Sequence, residues 1–293
     1  MKYIYLQPAI ERFEWELQTS ILSLNDLGVD NSDIIMVFSE ENDRIPRKFR
    51  TMGVNTFTYR DDRTKRELAY MPSIRPYLWY KFLSNNKEYE KETFVYLDSD
   101  VVVTNLEAFN VKVTNKRWYC SDASGYLNYS YLKSVTNADS VIDKMISAHG
   151  EVDLDWIKKI DKDTGGAQWV IKEPTADYWK DVFDKSVNIW HATADLDTSL
   201  QKWTAEMWSQ IWTMEKYGLT PKISKKMDFV FATDKLEDFK EYIIHNAGVV
   251  KADNEDGLFF KGQFKQMPLK RELKTNKDFV QSIYIDKALK ALY

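Results

Sequence analysis

The sequence predicts an α/β fold: a mixed, mainly parallel sheet flanked by helices, in a single domain. Three observations predict it. Strand-like and helix-like segments alternate through the first hundred residues, the pattern of a parallel sheet wrapped by helices. The strand-like runs, such as "SDIIMVFS" and "TFVYLDSDVVV", are nearly continuous stretches of β-branched and aromatic residues, as in strands buried on both faces. The chain of 293 residues is long enough for one large α/β core, with no internal repeat, low-complexity tract or Gly/Ser linker to divide it.

Taken in order, "KYIYLQ" (Lys2 to Gln7) alternates as a strand. "ERFEWELQTSILSLNDLG" has apolar residues near helical spacing and a stop signal at Gly28. Ser32 to Ser39 is the second strand and Asn55 to Tyr59 a third. Ser73 to Asn86 is helical, with Pro76 tolerated in its first turn. Next comes the strand ending at Asp98-Ser99-Asp100. In the second half, Thr175 to Trp190 forms an amphipathic helix, Thr204 to Gly218 another with Thr204 as its cap, and the tail closes with a short helix.

Composition excludes several classes. Hydrophobic residues at 44% and charged residues at 29% are ordinary for a globular protein, and the formal net charge of −4 gives no overall field toward nucleic acid or anionic lipid. The densest basic runs are Arg44 to Arg50 and the "RDDRTKR" that begins at Arg60; such runs are usually solvated surface. The one cysteine, Cys120, excludes an internal disulfide framework and fits a reducing compartment. With no signal peptide, membrane anchor or apolar run of transmembrane length, the expected location is the cytoplasm, or a host's cytoplasm for a viral chain.

Four short segments carry the chemistry. Asp98 and Asp100 stand at the carboxyl end of a strand, where open α/β sheets gather ligands. Two apart on an extended segment, both can face one hard cation, Mg²⁺ or Mn²⁺; the alternative is an Asx-turn. In "DKDTGGAQWVI", Gly165-Gly166 allows close backbone approach, and Gln168 can hydrogen-bond sugar hydroxyls; an ordinary Gly-Gly turn before a strand is the alternative. Glu206 lies between Trp203 and Trp208, where a carboxylate can hydrogen-bond an acceptor hydroxyl or take its proton; otherwise it is a helix-surface glutamate beside core tryptophans. In "IIHNAGVVK", His245 follows a strand, with Gly248 three and Lys251 six residues later. Its imidazole can complete a metal sphere and the lysine can meet a diphosphate.

Together these segments resemble a glycosyltransferase of the GT-A fold. "HNAGVVK" resembles the C-terminal H-x-x-G-x-x-K of glycogenin-like and lipopolysaccharide galactosyltransferase-like members. "WTAEMW" is similar to the W-x-x-E-M-[YW] segment of plant hydroxyproline arabinosyltransferases and peptidyl-serine galactosyltransferases, whose motif order D-x-D, G-G, E-M-W, H-x-x-G is also followed here. The resemblance spans residues 1–265, taken as the GT-A domain, with 266–293 as a helical tail packed on it. It departs where Ala252-Asp253 replaces the Pro-Trp after the lysine. The plant proteins also enter the secretory pathway, so their acceptors do not transfer.

The resemblance implies Mn²⁺ (or Mg²⁺) held by Asp98, Asp100 and His245 against the diphosphate of a UDP-sugar. It implies donor contacts from Arg75, Asp98, Gly165, Gly166, Gln168 and Lys251, and Glu206 beside the reacting centre. Transfer with retention of configuration follows by the same analogy, to a hydroxyl on a glycan, a protein, a small molecule or a hydroxylated DNA base. Two readings from other classes stay open: a metal-dependent nucleotidyltransferase, disfavoured by the lack of a G-x-G loop near the N-terminus, and a non-catalytic sugar-nucleotide-binding module on the same fold.

Overall fold

A computed structural model of the protein describes residues 1–40, 43–240, 242–250, 257–265, 273 and 275–293. Its elements, in chain order, are β1 (Lys2–Pro8), α1 (Glu11–Asn25), β2 (Ile34–Ser39), α2 (Arg44–Thr51), β3 (Asn55–Tyr59), α3 (Lys65–Leu68), α4 (Ile74–Asn85), β4 (Thr93–Tyr96), β5 (Val101–Val103) and β6 (Arg117–Asp122). They continue with α5 (Ser124–Leu127), α6 (Tyr129–Ser134), α7 (Ala138–His149), α8 (Leu154–Lys159), β7 (Gly165–Lys172), α9 (Ala176–Thr193), α10 (Ala205–Thr213), β8 (Thr220–Ile223), β9 (Phe229–Phe231), β10 (Ile243–His245) and α11 (Gln281–Leu292). Seven strands form a mixed sheet in the order β3-β2-β1-β4-β7-β6-β8, and three form a second, β5-β10-β9. The α/β class expected from the alternating pattern is therefore what the chain adopts.

The chain divides into two compact units. The first comprises Tyr3–Thr58, Leu97–Asn110 and Lys226–Tyr293. In it β1 pairs parallel with β2, Tyr3 opposite Ile34 through Pro8 opposite Ser39, and β2 is buried at every position. β10 runs antiparallel to β5 and parallel to β9. A core of Trp15, Val102, Val230, Ile244, Phe259, Val280, Tyr284, Ile285 and Ala288 joins α1, these short strands and α11. That core explains why a three-residue strand holds its place: burial of its valines, rather than its length, fixes it.

The second unit comprises Met1–Lys2, Tyr59–Tyr96 and Val111–Lys225. β7 runs antiparallel to both β4 and β6, and β6 pairs parallel with β8. Its aromatic wealth is mostly core: Trp79 and Trp179 stack at 5.0 Å with rings 2° from parallel, and Phe94 and Tyr96 meet Trp79 edge-on. Thr175 caps α9 by accepting from the Tyr178 amide. Thr204 does not cap α10 as the sequence suggests; its hydroxyl donates to Gln201 O instead. The hydroxyl is directed at the preceding turn, and no helix amide donates to it.

The basic run Arg44 to Arg50 forms α2, a helix that its composition alone does not mark. Its charges have nearby carboxylates: Arg44 and Lys48 meet Glu14, and Arg47 and Arg50 meet Asp43. In the second unit Arg63 is buried on Asp61 and Ser73. No described helix is long and apolar enough to cross a membrane.

Candidate functional site

The stretch expected as one strand ending in D-x-D is two strands in two different sheets. β4 stops at Tyr96, β5 begins at Val101, and Asp98-Ser99-Asp100 is the turn between them. Strict alternation therefore does not set the two carboxylates. The β5–β10 ladder does: His245 stands opposite Val101, and the Asn246 amide donates to Asp100 O at 2.9 Å, which lays the end of β10 beside the turn. His245 Nε2 lies 3.3 Å from Asp100 Oδ1 and 3.7 Å from Asp98 Oδ2. One ligand atom from each of the three residues fits within 4.8 Å of the others. Two carboxylate oxygens and an imidazole are a donor set suited to Mn²⁺ or Mg²⁺, so the residues present fit the implied cation.

Lys261, absent from the sequence-based set, pairs with Asp100 Oδ2. Burial would raise the Asp100 carboxyl, but Lys261 and His245 outweigh it and hold the group far below the usual carboxylate range. Burial would lower the His245 imidazole, and the Asp100 charge reverses the sign and raises it. Beneath the turn, Ser99 Oγ donates to Glu16 Oε2 at 2.6 Å, and Arg12 Nε donates to Glu16 Oε1 at 3.0 Å. Lys251 lies outside the described residues.

The remaining predicted residues collect in the second unit. Arg75 on α4 and Glu206 on α10 form an ion pair, which the sequence did not foretell. The Glu206 amide donates to Tyr70 Oη at 2.8 Å, and Tyr70 Oη donates to Trp203 O at 2.6 Å, so Tyr70 pins the first turn of α10. Of the two flanking tryptophans, Trp208 is core and packs on Trp212, while Trp203 is 51% exposed beside Tyr126.

Gly165 and Gly166 lie within β7 rather than in a turn before it. A Cβ on Gly165 would collide with Cys120 Sγ and Ser121 O, and one on Gly166 with the tip of Met207. Packing alone thus requires glycine at 165, where a backbone oxygen stands in the way, whereas at 166 the obstacle is the movable end of a flexible side chain. The β6–β7 register shifts between Cys120 and Ser121, and Ala167 takes a left-handed φ of 58° there. This bulge turns Gln168 inward: it is fully buried, accepts from Ser121 Oγ at 2.6 Å, and leaves Nε2 without a partner among the described residues. Cys120 is buried, and that burial raises its thiol well above the ordinary value, so it is no nucleophile.

Lys261, Glu16, Arg12 and Tyr70 went unread in the sequence. Lys261 sits in "LFFKGQ", which has no motif or periodicity to mark it. Glu16 had a faint signal: with Arg12 it forms an i, i+4 pair on a helix whose neighbours Trp15 and Leu17 are apolar.

No family model and no curated protein matches this sequence. Among solved structures, an active-site variant of LgtC superposes with a TM-score of 0.52 at 12% identity, covering 98% of this chain and 95% of that one. A second LgtC structure, a galactosyltransferase in complex with donor and acceptor sugar analogs, gives 0.45 at 11% identity with the same coverage. Glucosyl-3-phosphoglycerate synthase from Mycobacterium tuberculosis, in complex with Mg²⁺ and UDP, gives 0.37 at 13%, covering 76% of this chain and 68% of that one. The first of these likenesses establishes the fold: the chain has the GT-A arrangement.

Proposed function

We propose that the protein is a metal-dependent glycosyltransferase that moves a sugar from a UDP-sugar to a hydroxyl acceptor with retention of configuration. The observation that carries this reading is the convergence of Asp98, Asp100 and His245, each offering one ligand atom within 4.8 Å of the others. The shared fold with LgtC supports it, as does the motif order it shares with the hydroxyproline arabinosyltransferase and peptidyl-serine galactosyltransferase group. The catalytic domain is residues 1–265, with 266–293 as its tail.

When bound, a Mn²⁺ or Mg²⁺ ion supplies charge neutralisation for a departing diphosphate. Asp98 and Asp100 would hold it through carboxylate oxygens, and His245 through Nε2, the ring nitrogen that faces both aspartates. Lys261 stands next to this set as a second positive charge for the diphosphate, alongside the role proposed for Lys251. Glu206, held as a carboxylate partner of Arg75, accepts hydrogen bonds and suits the task of orienting an acceptor hydroxyl. The inward-turned Gln168, with its unpartnered amide nitrogen, is the proposed contact to the donor sugar, with Gly165 and Gly166 bounding that side. The protein acts in the cytoplasm, and its acceptor is a glycan, a protein, a small molecule or a hydroxylated DNA base.

The test is UDP release from a panel of UDP-sugars, with and without Mn²⁺. Metal-dependent release from one UDP-sugar supports the reading and names the donor. Pyrophosphate release from a nucleoside triphosphate, without UDP release from any sugar nucleotide, overturns it in favour of a nucleotidyltransferase.

A further inference from the structure

Behind the two aspartates stands a third carboxylate. Glu16 lies in the middle of α1, and its side chain has no exposure to water. A buried carboxylate is costly unless it is paired and hydrogen-bonded, and a neighbouring carboxylate adds to that cost. Burial and then the charge of Asp100 push the Glu16 carboxyl up from its ordinary value. Arg12, one helical turn earlier, offsets part of the cost at 3.0 Å. The other partner is more specific: Ser99 Oγ, 2.6 Å from Glu16 Oε2. Ser99 is the middle residue of the turn, flanked on both sides by the aspartates, and is itself 3% exposed.

A turn has more backbone freedom than a strand, and the direction of both aspartates follows from how residue 99 is held. Helix α1 is a rigid anchor for it, since Trp15, the residue before Glu16, is fully buried in the core with Val102, Ile244 and Tyr284. A second tie runs in the same direction: the Val103 amide donates to Ser23 Oγ at 3.1 Å, fixing the strand that leaves the turn to the same helix.

We propose that Glu16 is a positioning residue for the cation site, holding the turn through Ser99 so that the Asp98 and Asp100 oxygens converge with His245. The inference rests on the reading that these three residues hold a divalent cation. Groups that orient metal ligands change metal affinity by about 10–100-fold when removed. Glu16 acts through the hydrogen bond it accepts from Ser99 Oγ.

The test is titration of the full-length protein with Mn²⁺ alone, followed by the paramagnetic resonance signal of free Mn²⁺, with thermal melts of each variant. Glu16→Ala and Ser99→Ala each weaken Mn²⁺ binding by about 10-fold or more, and the double variant is no weaker than the worse single one, because both break one contact. Glu16→Gln keeps an acceptor oxygen and stays near the wild type. Unchanged affinity in Ser99→Ala overturns the proposal. So does a double variant that weakens by the product of the singles, or Glu16→Gln behaving like Glu16→Ala. Ser99→Ala removes only one oxygen and decides the matter by itself should Glu16→Ala fail to fold. A wild-type protein that leaves Mn²⁺ free overturns the cation site itself, and the positioning role with it.

Discussion

Two groups of charged residues invite comparison. In the first unit, Asp98, Asp100 and His245 aim their ligand atoms at one small region, with Glu16 buried against the same turn. In the second, Arg75 and Glu206 meet as opposite charges across two helices. Like charges brought together raise the free energy unless a cation joins them, whereas an opposite pair lowers it with no help. In the first group Lys261 and His245 already face Asp100, and the two carboxylates and imidazole still offer atoms to one further cation; in the second the single Arg75–Glu206 pair holds each partner in place. The backbone differs in the same sense: the aspartates lie on a turn between two short strands, while Glu206 opens a nine-residue helix.

The comparison is sharpened most by removing a carboxylate from each group. Asp100→Asn keeps the shape of the side chain and removes one of the proposed cation ligands. Metal-dependent UDP release is expected to fall on the order of 1000-fold, since a bound metal contributes several kcal/mol to such a step. Glu206→Gln is expected to lower transfer by about 100-fold, in the range of lost general acid–base assistance, with Mn²⁺ affinity unchanged by the same titration. Loss of Mn²⁺ binding in Glu206→Gln would break the distinction between the groups.

Two smaller effects belong to the second unit alone. Gly165→Ala forces a Cβ against Ser121 O and Cys120 Sγ, and is expected to cost about 1–3 kcal/mol in urea unfolding, with Mn²⁺ affinity again unaltered. His149, buried at the end of α7, is held neutral: burial and then Lys185 depress its pKa to about 3. The folded value lies below the unfolded one of about 6.5, so the unfolded state takes up the proton first. Stability is whole above about pH 6.5 and is lost as pH falls toward 3. His149→Gln should therefore lose less stability than the wild type between these limits, as read by thermal melts across pH.

Much of the first group was legible in the sequence because its members carry local marks. Asp98 and Asp100 stand at a strand end, and His245 closes the three-residue strand β10 after the apolar pair Ile243-Ile244, so period and position flag them. Lys261 carries no such mark; its place beside Asp100, 161 residues away in the chain, is decided by tertiary packing. The Gly165-Gly166 pair was visible, but its cause was not. A sequence shows that a Cβ is missing, while only the packed strand shows Cys120, Ser121 and Met207 filling the space. The bulge at Ala167 was equally hidden, because an alanine gives no hint of a left-handed φ. The alternating α/β pattern was readable from buried strands such as β2, whose six positions are all buried, whereas α2 was missed because its basic run hides the short apolar face of Ile45, Pro46 and Phe49.

The proposed function stands or falls with a divalent cation at Asp98, Asp100 and His245 that a uridine diphosphate shares. Isothermal titration of UDP into the full-length protein, once with Mn²⁺ and once with chelator, tests it most directly. Linkage requires the two ligands to strengthen each other equally. UDP is expected to bind at least about tenfold tighter with Mn²⁺, a coupling in the ordinary 1–3 kcal/mol range, with that difference lost in Asp100→Asn. Equal UDP affinity with and without the metal in the wild-type protein would contradict it.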